Sequence, residues 1–353
     1  MSRYFSSKFE KLTPYVPGEQ PKDMKYIKLN TNESPFPPSE KAVKAAAEEA
    51  LNLRLYPDPE LSSPAKAFAA GFGVGERNVI FTNGSDDLLN FAFMAFCDRD
   101  TGAAFPDISY GFYPVFAEFN NIDYKEIPLK DDFSIDTGDY KGLGRTIFIA
   151  NPNAPTGLAL APGEIEEILA ANPDNVVVID EAYVDFGAES CVTLIEKYDN
   201  LLVIGTFSKS RSMAGARLGY GIGSEELIND LNTVRFSTNP YNINRMTMAA
   251  GIGALSDPAY TENNCLTIIK NREYTACALK ELGFTMTDSK ANFLFAKHPG
   301  IPGEELYLKL KKRGVLVRHF AKDRIGDHVR ITIGTLDDMK SLIAAVKAIL
   351  EEK

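Results

Sequence analysis

The stretch that decides the fold is VVVIDEAYVDF, residues 176–186, in which four consecutive apolar residues end at Asp180. A continuous apolar run of this length is typical of a strand buried on both faces of a parallel sheet. In an open parallel sheet ligands bind at the carboxyl ends of the strands, so we expect Asp180 to face a crevice. An aspartate that only caps the strand-to-helix turn is the alternative interpretation.

Similar short apolar runs lie on both sides of this stretch. Apolar residues recur at helical spacing between them, at 88–96 and at Pro162–Ala171. Strands that alternate with helices predict a large three-layer α/β/α domain with a mainly parallel sheet. The other predicted strands of this sheet are 79–81, Thr146–Ala150, 201–204 and 218–222.

The chain is predicted to form two domains preceded by an arm. Residues 1–39, rich in proline and polar residues, predict an N-terminal arm that belongs to the small domain and covers the site. Residues 40–255 predict the large domain, and residues 256–353 a small α+β domain. Within the small domain we expect a long helix at 257–282, an amphipathic helix at 336–350, and strands at 293–295, 315–317 and 329–333.

Composition limits the possible functions. The 353 residues are 44% hydrophobic and 24% charged, which is ordinary for a soluble globular protein. With 38 basic and 48 acidic residues the net charge is −10, which argues against nucleic-acid and membrane partners. We find no signal peptide or membrane-spanning run, and the cysteine and histidine spacings suggest no metal site, so we expect a cytoplasmic protein without a metal.

A lysine follows the next predicted strand, in the segment TFSKS at 206–210. A lone lysine after a strand is usually solvated. A crossover connection of about this length would, however, make the strand before Lys209 a neighbour or near-neighbour of the strand that ends at Asp180. A cationic ring nitrogen requires a buried carboxylate, and a carbonyl cofactor requires a lysine amine. Pyridoxal 5′-phosphate (PLP) requires both, so the pair predicts a PLP site.

A phosphate site is predicted where Gly84, Ser85 and Asp86 connect a strand to a helix. Glycine permits close approach of the backbone, and a helix N-terminus presents free N–H groups. An ordinary serine N-cap is the alternative. Tyr110 could stack on a pyridine ring, or simply pack in the core. Further hydroxyl and guanidinium donors near Lys209 are Thr206, Ser208 and Arg217.

The joint order of these motifs resembles that of the fold-type I PLP-dependent aminotransferases of class I/II, over essentially the whole chain. The motifs that carry the resemblance are TNGSDD at 82–87, NPNAPTG at 151–157, VVVIDEAYVDF at 176–186 and TFSKSRSMAGARLGY at 206–220. Three further segments are similar to those of the histidinol-phosphate aminotransferase branch. These are NTNESP at 30–35, YPDPE at 56–60 and VRITIGT at 329–335.

The resemblance implies a role for each matching residue. Lys209 would bind the cofactor covalently and transfer the substrate Cα proton, Asp180 would pair with the pyridine nitrogen, and Tyr183 would donate to the phenolic oxygen. Tyr110 would stack on the ring. Tyr56 would reach the cofactor phosphate of the other subunit, which implies a homodimer with shared active sites. The phosphate would be held at Gly84, Ser85, Asp86, Thr206, Ser208 and Arg217.

The segment NPNAPTG departs from the family pattern at Ala154. The family usually has an asparagine there that contacts the phenolic oxygen. Asn153 or a water could replace it, or Tyr183 could act alone. Loss of a donor stabilises the phenolate less, so we expect a raised pKa for the cofactor–lysine linkage.

Substrate contacts are also implied by the resemblance. Arg330 alternates with apolar neighbours in its strand, and without context a sheet-edge salt bridge would explain it. By family position it would bind the carboxylate of glutamate or the substrate phosphate as a bidentate fork. Arg318 resembles the branch's second anion-binding arginine. Tyr15 and Asn32 would be contributed by the arm.

The reaction implied is transamination between L-histidinol phosphate and 2-oxoglutarate, which gives imidazole-acetol phosphate and L-glutamate in histidine biosynthesis. A threonine-phosphate decarboxylase-like enzyme and an aromatic or other amino-acid aminotransferase are the alternatives. A PLP-binding transcription regulator fits poorly with a net charge of −10. An inactive homologue fits poorly with the intact set of Asp180, Lys209 and Arg217.

Overall fold

The computed structural model describes residues 2–10 and 12–352, within which there are thirteen strands and ten α-helices. The strands are β1 Ile27–Lys28, β2 Val79–Thr82, β3 Ala103–Pro106, β4 Tyr124–Ile127, β5 Thr146–Ala150, β6 Val177–Asp180, β7 Leu201–Thr206, β8 Gly219–Gly223, β9 Thr285–Met286, β10 Phe293–Lys297, β11 Val315–Leu316, β12 Arg318–His319 and β13 Val329–Thr332. The helices are α1 Glu40–Glu49, α2 Ser62–Phe72, α3 Ser85–Phe96, α4 Phe112–Asn120, α5 Pro162–Ala171, α6 Glu225–Thr238, α7 Arg245–Leu255, α8 Pro258–Glu281, α9 Gly303–Lys312 and α10 Leu336–Glu351.

The large sheet has seven strands in the order β2-β8-β7-β6-β5-β3-β4. Strands β3 to β7 run parallel, whereas β8 lies antiparallel between β2 and β7. The sheet is therefore mainly parallel, as predicted, and the strand predicted at 218–222 is an antiparallel member of it. The connection from β7 to β8 contains only the 3₁₀ turn Ala214–Ala216, and a parallel neighbour usually requires a helical crossover.

Helices cover both faces of this sheet. In β5, Ile147 and Ile149 pack on one side with side chains from α2, α5 and α7. Phe148 points to the other side and stacks on Phe93 at 4.0 Å, among side chains from α3, α4 and α6. Burial of each such side chain contributes about 1.5–3 kcal/mol. The alternation explains why the strands are continuous apolar runs: both faces are core.

The C-terminal part forms a second sheet, in the antiparallel order β12-β13-β10-β9. Its core is shared with α8, α9 and α10. The predicted strand at 315–317 is shorter and pairs in parallel with β1 rather than with this sheet. The N-terminal segment therefore packs against the C-terminal part. The boundaries 1–39, 40–255 and 256–353 remain predictions.

The other predicted elements agree closely with the structure. The strand Thr146–Ala150 and the helix Pro162–Ala171 have the predicted bounds. Strand β7 continues two residues beyond the predicted end, to Thr206, which places the loop of Lys209 directly at the sheet edge. In the described part of the chain, no helix has both the length and the hydropathy needed to cross a bilayer.

Candidate active site

The carboxyl ends of several strands of the large sheet surround a cavity of about 140 Å³. Strand β5 contributes Ala150, β6 contributes Asp180 and β7 contributes Thr206. This is the edge at which parallel sheets bind ligands. Nine of the residues predicted from sequence line the cavity: Ser85, Asp86, Tyr110, Asp180, Tyr183, Thr206, Ser208, Lys209 and Arg217.

Asp180 is the last residue of β6, flanked by Ala150 of β5 and Ile204 of β7 in the sheet register. Its side chain is buried, and one carboxylate oxygen accepts a hydrogen bond from the Ala182 backbone N–H at 3.2 Å. Burial raises the pKa of Asp180 to about 7 because the ionised form is desolvated. A cation held against this carboxylate would favour its ionised form.

Lys209 lies in the loop after β7, and β7 is the neighbour of the strand that ends at Asp180. Its Nζ donates to the Thr31 carbonyl at 3.3 Å and lies 5.8 Å from the centre of the Tyr183 ring. The Ser208 N–H donates to Thr206 Oγ1 at 3.1 Å, which tightens the turn before the lysine. The loop thus presents an amine to the cavity that the carboxylate of Asp180 also lines.

The predicted phosphate site is a close approach of two backbone segments. Gly84 has a φ of +84° and precedes α3 without a side-chain cap, so the first amides of that helix are left for another acceptor. A Cβ at Gly84 would collide with the Arg217 guanidinium. A Cβ at Gly219 would collide with the backbone of Gly84 and Ser85. Only glycine fits at either position, and the resulting cradle suits an anion.

The Asp86 carboxylate links two other predicted residues. Its oxygens accept hydrogen bonds from the Tyr110 hydroxyl at 2.7 Å and from Arg217 Nη2 at 2.8 Å. Burial, reinforced by the charge of Asp86, raises the pKa of Tyr110, which therefore remains neutral. Sequence reasoning assigned only a backbone role to Asp86, whereas its side chain orients both the aromatic ring and the guanidinium.

The structure decides one alternative raised by Ala154. The Asn153 amide donates to the Ile108 carbonyl at 2.9 Å and to Thr156 Oγ1 at 3.1 Å, and it accepts from Ser109 Oγ at 2.7 Å. Asn153 therefore cannot replace the missing asparagine, because its polar atoms already hold the loop together. Ala154 itself lines the cavity and offers only a methyl group.

Asn32 contacts a cavity residue. Its Nδ2 donates to the Tyr183 hydroxyl at 2.9 Å, and the residue is 1% exposed. Two hydrogen bonds of 3.0 Å link Asn32 to Thr332 of β13. The Thr332 hydroxyl accepts from the Asn32 backbone N–H and donates to the Asn32 side-chain oxygen. The Tyr183 ring also packs edge-on against Phe293 at 5.2 Å.

The two predicted anion-binding arginines face each other across β12 and β13. Arg330 Nη2 donates to the Asn30 carbonyl at 3.1 Å, its Nε is buried without a partner, and burial lowers its pKa. Arg318 donates to the carbonyls of Val16 and Pro17, at 3.0 and 3.1 Å. An unpartnered guanidinium N–H that is buried is a donor reserved for another group.

Tyr15 and Tyr56, predicted as contacts, lie outside the cavity lining. Tyr15 stacks on Phe112 at 4.1 Å, and its ring centre lies 6.4 Å from that of Tyr110. Tyr56 is 78% exposed and stacks on Tyr241 at 4.6 Å. The structure therefore brings Tyr15 beside the site and leaves Tyr56 on the surface.

Sequence reasoning missed Tyr113 and Thr332. Tyr113 is buried, its hydroxyl has no hydrogen-bond partner, and burial together with the nearby Asp180 raises its pKa. The signal was its position three residues after Tyr110, at the start of α4. Thr332 follows Arg330 by two residues and so shares its strand face, which the alternation already indicated.

Comparison with known proteins identifies the family. The model of the family described as "Aminotransferase class I and II" matches residues 24–346. The chain belongs to this family. Aminotransferases of Brachyspira hyodysenteriae and Marinomonas sp., both named histidinol-phosphate aminotransferase, are 50% and 49% identical to it. Each alignment covers 99% of this chain and 100% of the relative.

Two solved structures named histidinol-phosphate aminotransferase share the fold. The histidinol-phosphate aminotransferase of Sinorhizobium meliloti, in complex with PLP, superposes with a TM-score of 0.89 at 22% identity over 99% of both chains. That of Clostridium acetobutylicum superposes with a TM-score of 0.84 at 24% identity, over 92% of this chain and 99% of the other. The predicted fold class is confirmed.

Proposed function

We propose that this chain is a cytoplasmic, PLP-dependent histidinol-phosphate aminotransferase. It would interconvert L-histidinol phosphate plus 2-oxoglutarate and imidazole-acetol phosphate plus L-glutamate. One observation carries the proposal: the carboxylate of Asp180 and the amine of Lys209 line one cavity together with a glycine-built anion cradle. The full-length identity to aminotransferases of this name supports the substrate.

The donor set fits PLP. The buried carboxyl of Asp180 would hold the pyridine N–H, and the Lys209 amine would bind the aldehyde carbon. Tyr110 would lie against the ring. When bound, PLP supplies an electron sink for negative charge at the substrate Cα. The phosphate would lie against the amides after Gly84, at Ser85 and Asp86, and against the side chains of Thr206, Ser208 and Arg217.

The protein's side chains would position the cofactor and transfer the proton of the substrate Cα. The Lys209 Nζ, which lies at the cavity, would carry the proton of the substrate Cα. General-base catalysis of this kind contributes about 10²–10⁴-fold in rate. Asp180, buried and next to the site, would keep positive charge on the ring nitrogen. Tyr183 would donate its hydroxyl hydrogen to the phenolic oxygen.

Substrate recognition would rest on Arg330 and Arg318. A charge-assisted hydrogen bond contributes about 1.5–3 kcal/mol, so we expect Arg330→Ala or Arg318→Ala to lower kcat/KM at least about tenfold. Arg330→Lys keeps the charge but loses the planar fork, and should remain impaired. Kinetics with glutamate and with histidinol phosphate measure the two half-reactions separately. Wild-type turnover in both alanine variants would refute the assignment.

The proposed function is tested by a panel of amino donors and acceptors, with the absorbance of the bound cofactor as readout. We expect glutamate and L-histidinol phosphate to convert it fastest. Threonine phosphate is included with a CO₂ assay, since release of CO₂ would indicate the decarboxylase alternative. Faster conversion by phenylalanine or tyrosine would indicate an aromatic aminotransferase. No visible absorbance in the purified protein would remove the PLP assignment.

We further propose a homodimer in which Tyr56 reaches the phosphate of the partner's cofactor. Support comes from the surface around Tyr56, where Leu51, Leu53 and Leu55 are 85%, 55% and 47% exposed. Exposed apolar side chains in such a cluster are typical of interaction surfaces.

Mixing inactive subunits tests the shared site. Lys209→Ala inactivates its own site, and Tyr56→Ala would weaken phosphate binding in the neighbouring one. Co-refolded Lys209→Ala and Tyr56→Ala chains should therefore form some mixed dimers in which one site has both residues intact. We expect activity above that of either variant alone. Activity equal to the mean of the separate variants would show that each site uses its own Tyr56.

A further inference from the structure

We propose that Asn32 is a positioning residue that fixes the direction of the Tyr183 hydroxyl, so that Tyr183 can only donate toward the cofactor cavity. Asn32 would thereby compensate for Ala154. This inference rests on the proposed function, because the phenolic oxygen of PLP is the acceptor for the bond. It gives Asn32 a role through Tyr183 instead of the direct substrate contact expected from sequence.

The side chains of Asn32 and Tyr183 are joined by a hydrogen bond. Asn32 Nδ2 lies 2.9 Å from the Tyr183 hydroxyl oxygen. An amide NH₂ can only donate a hydrogen bond, so the tyrosine oxygen accepts here. A phenol has a single hydrogen, and that hydrogen is left for another acceptor. Since Tyr183 lines the cavity, an acceptor placed there can receive it.

The contacts of Asn32 with Thr332 determine which end of its side-chain amide faces Tyr183. The Asn32 backbone N–H donates to Thr332 Oγ1 at 3.0 Å, so that hydroxyl accepts from the backbone. The hydroxyl hydrogen of Thr332 is then free for Asn32 Oδ1, which lies 3.0 Å away. A flipped amide would leave the Thr332 hydroxyl hydrogen without its acceptor on Asn32, because an amide NH₂ only donates. The hydrogen bond from Thr332 thus orients the Asn32 amide with its NH₂ toward Tyr183.

Asn32 is held rigidly by its backbone conformation and its buried neighbours. Asn32 has a φ of 56°, a left-handed conformation that asparagine tolerates better than most residues. Its carbonyl accepts from Asn292 Nδ2 at 3.0 Å. Asn32, Asn292 and Thr332 are each no more than 2% exposed. The donor that faces Tyr183 is therefore held in place before any ligand binds.

The cavity offers few side-chain donors to the phenolic oxygen of the cofactor. Ala154 contributes a methyl group to the cavity, and the Asn153 amide is consumed by its own loop. A phenolic oxygen beside Tyr183 would then depend on the tyrosine for its side-chain donor. With one donor instead of two, the direction of that single bond matters more.

Other ionisable groups also act on Tyr183 and must be held constant in a test. Lys209 Nζ lies 5.8 Å from the centre of its ring, and Arg330 is a second cationic group near it. The ionisable tyrosines near Tyr183 are Tyr15, Tyr110 and Tyr113. None of these side chains is altered in the variants below, so a shift in the titration reports on the Asn32–Tyr183 bond.

The test is a pH titration of the absorbance of the bound cofactor in the substrate-free holoenzyme. Asn32→Asp replaces the donor by an acceptor, so the Tyr183 hydrogen turns toward residue 32 and away from the cofactor. We expect the absorbance pKa to rise by about one pH unit or more. Asn32→Gly tolerates the same φ and removes the amide, so it should give a smaller rise. Thr332→Val should also raise this pKa, and the matched Thr332→Ser should match the wild type.

A tyrosine-free background separates orientation from charge. In Tyr183→Phe, the Asn32→Asp change should shift the pKa by less than half as much, because only the distant carboxylate charge remains. Ala154→Asn adds a second donor and should lower the wild-type pKa and weaken the response to Asn32→Asp. If Asn32→Asp does not fold, Asn32→Gly and Thr332→Val carry the test.

The possible failures are distinct. A wild-type protein without a pH-dependent visible band would remove the proposed function. A normal band with the same pKa in wild type, Asn32→Gly and Thr332→Val would overturn the role of Asn32 and leave the function intact. An equal Asn32→Asp shift with and without Tyr183 would show a charge effect only, and would also overturn it.

Discussion

Replacement of Lys209 by alanine is expected to lower kcat/KM for glutamate by at least about 10²–10⁴-fold, the contribution of a positioned proton-transfer group. The amine is lost from a cavity that also contains Asp180 and the cradle at Gly84. The proposed contacts to the phosphate and the ring would not involve this side chain. We therefore expect the variant to bind PLP without a covalent bond, so that borohydride no longer fixes the cofactor to the protein.

Two comparisons make this result specific. Lys209→Arg keeps the positive charge but offers no free base at neutral pH, so it should be as inactive as the alanine variant. Added methylamine should partly restore Lys209→Ala and leave Lys209→Arg unchanged, because a small amine can enter the space left by the shorter side chain. Turnover in either variant within tenfold of wild type, without added amine, would contradict the assignment.

Replacement of Asp180 by asparagine is expected to change activity and stability in opposite directions. Activity should fall by about 10²–10³-fold, since the group that would stabilise charge on the ring nitrogen is neutralised. The cofactor-free protein should become more stable above pH 7, because the wild type buries a carboxyl whose ionised form is desolvated. A single neutral substitution would thus separate what the residue does for folding from what it does for chemistry.

The direction of the stability change in Asp180→Asn follows from proton linkage. The pKa of Asp180 is about 7 in the folded protein, against an ordinary value of 3.8. Between these values the folded state binds more protons than the unfolded state, so stability falls as pH rises through this window and stays reduced above it. Asp180→Asn removes this loss, about 4 kcal/mol at pH 8, and changes little below pH 4. Urea unfolding of the cofactor-free proteins at pH 5 and pH 8 measures the difference.

Glu181 offers the matched control for this experiment. It is the next residue, it is also buried, and it accepts bonds from Ser190 Oγ at 2.6 Å and the Cys191 N–H at 2.7 Å. It is not among the residues that line the cavity. Glu181→Gln should therefore leave kcat within a few-fold of wild type. A comparable loss of activity in both variants would show that the Asp180 effect is not specific to the site.

Much of the fold follows from local sequence, because strands buried on both faces leave an unmistakable apolar run. The run before Asp180 predicts a strand end, and its neighbour before Lys209 predicts the adjacent one. The direction of β8 could not be predicted in this way. Its glycines and apolar residues indicate a strand, but strand direction depends on the connection, which here lacks a helix.

The site was predictable where a residue acts through its position in a motif, and less so where it acts through a distant partner. Nine predicted residues line the cavity, and all of them except Arg217, which precedes β8, lie at or shortly after the carboxyl end of a strand. The Asn32–Tyr183 bond joins residues 151 positions apart, and Thr332 lies 300 positions from Asn32. Likewise, no local pattern reveals that the Asp86 side chain would hold both Tyr110 and Arg217.

The antiparallel insertion of β8 has a consequence for assembly. Gly219 begins the last strand of the large sheet in sequence, yet it lies against Gly84 and Ser85 between β2 and β7. The cradle thus depends on contacts of high sequence separation, which form slowly because loop closure must precede them. During synthesis the segment around Gly84 leaves the ribosome before β8 does. We therefore expect the cradle to be completed late, when β8 joins the central sheet.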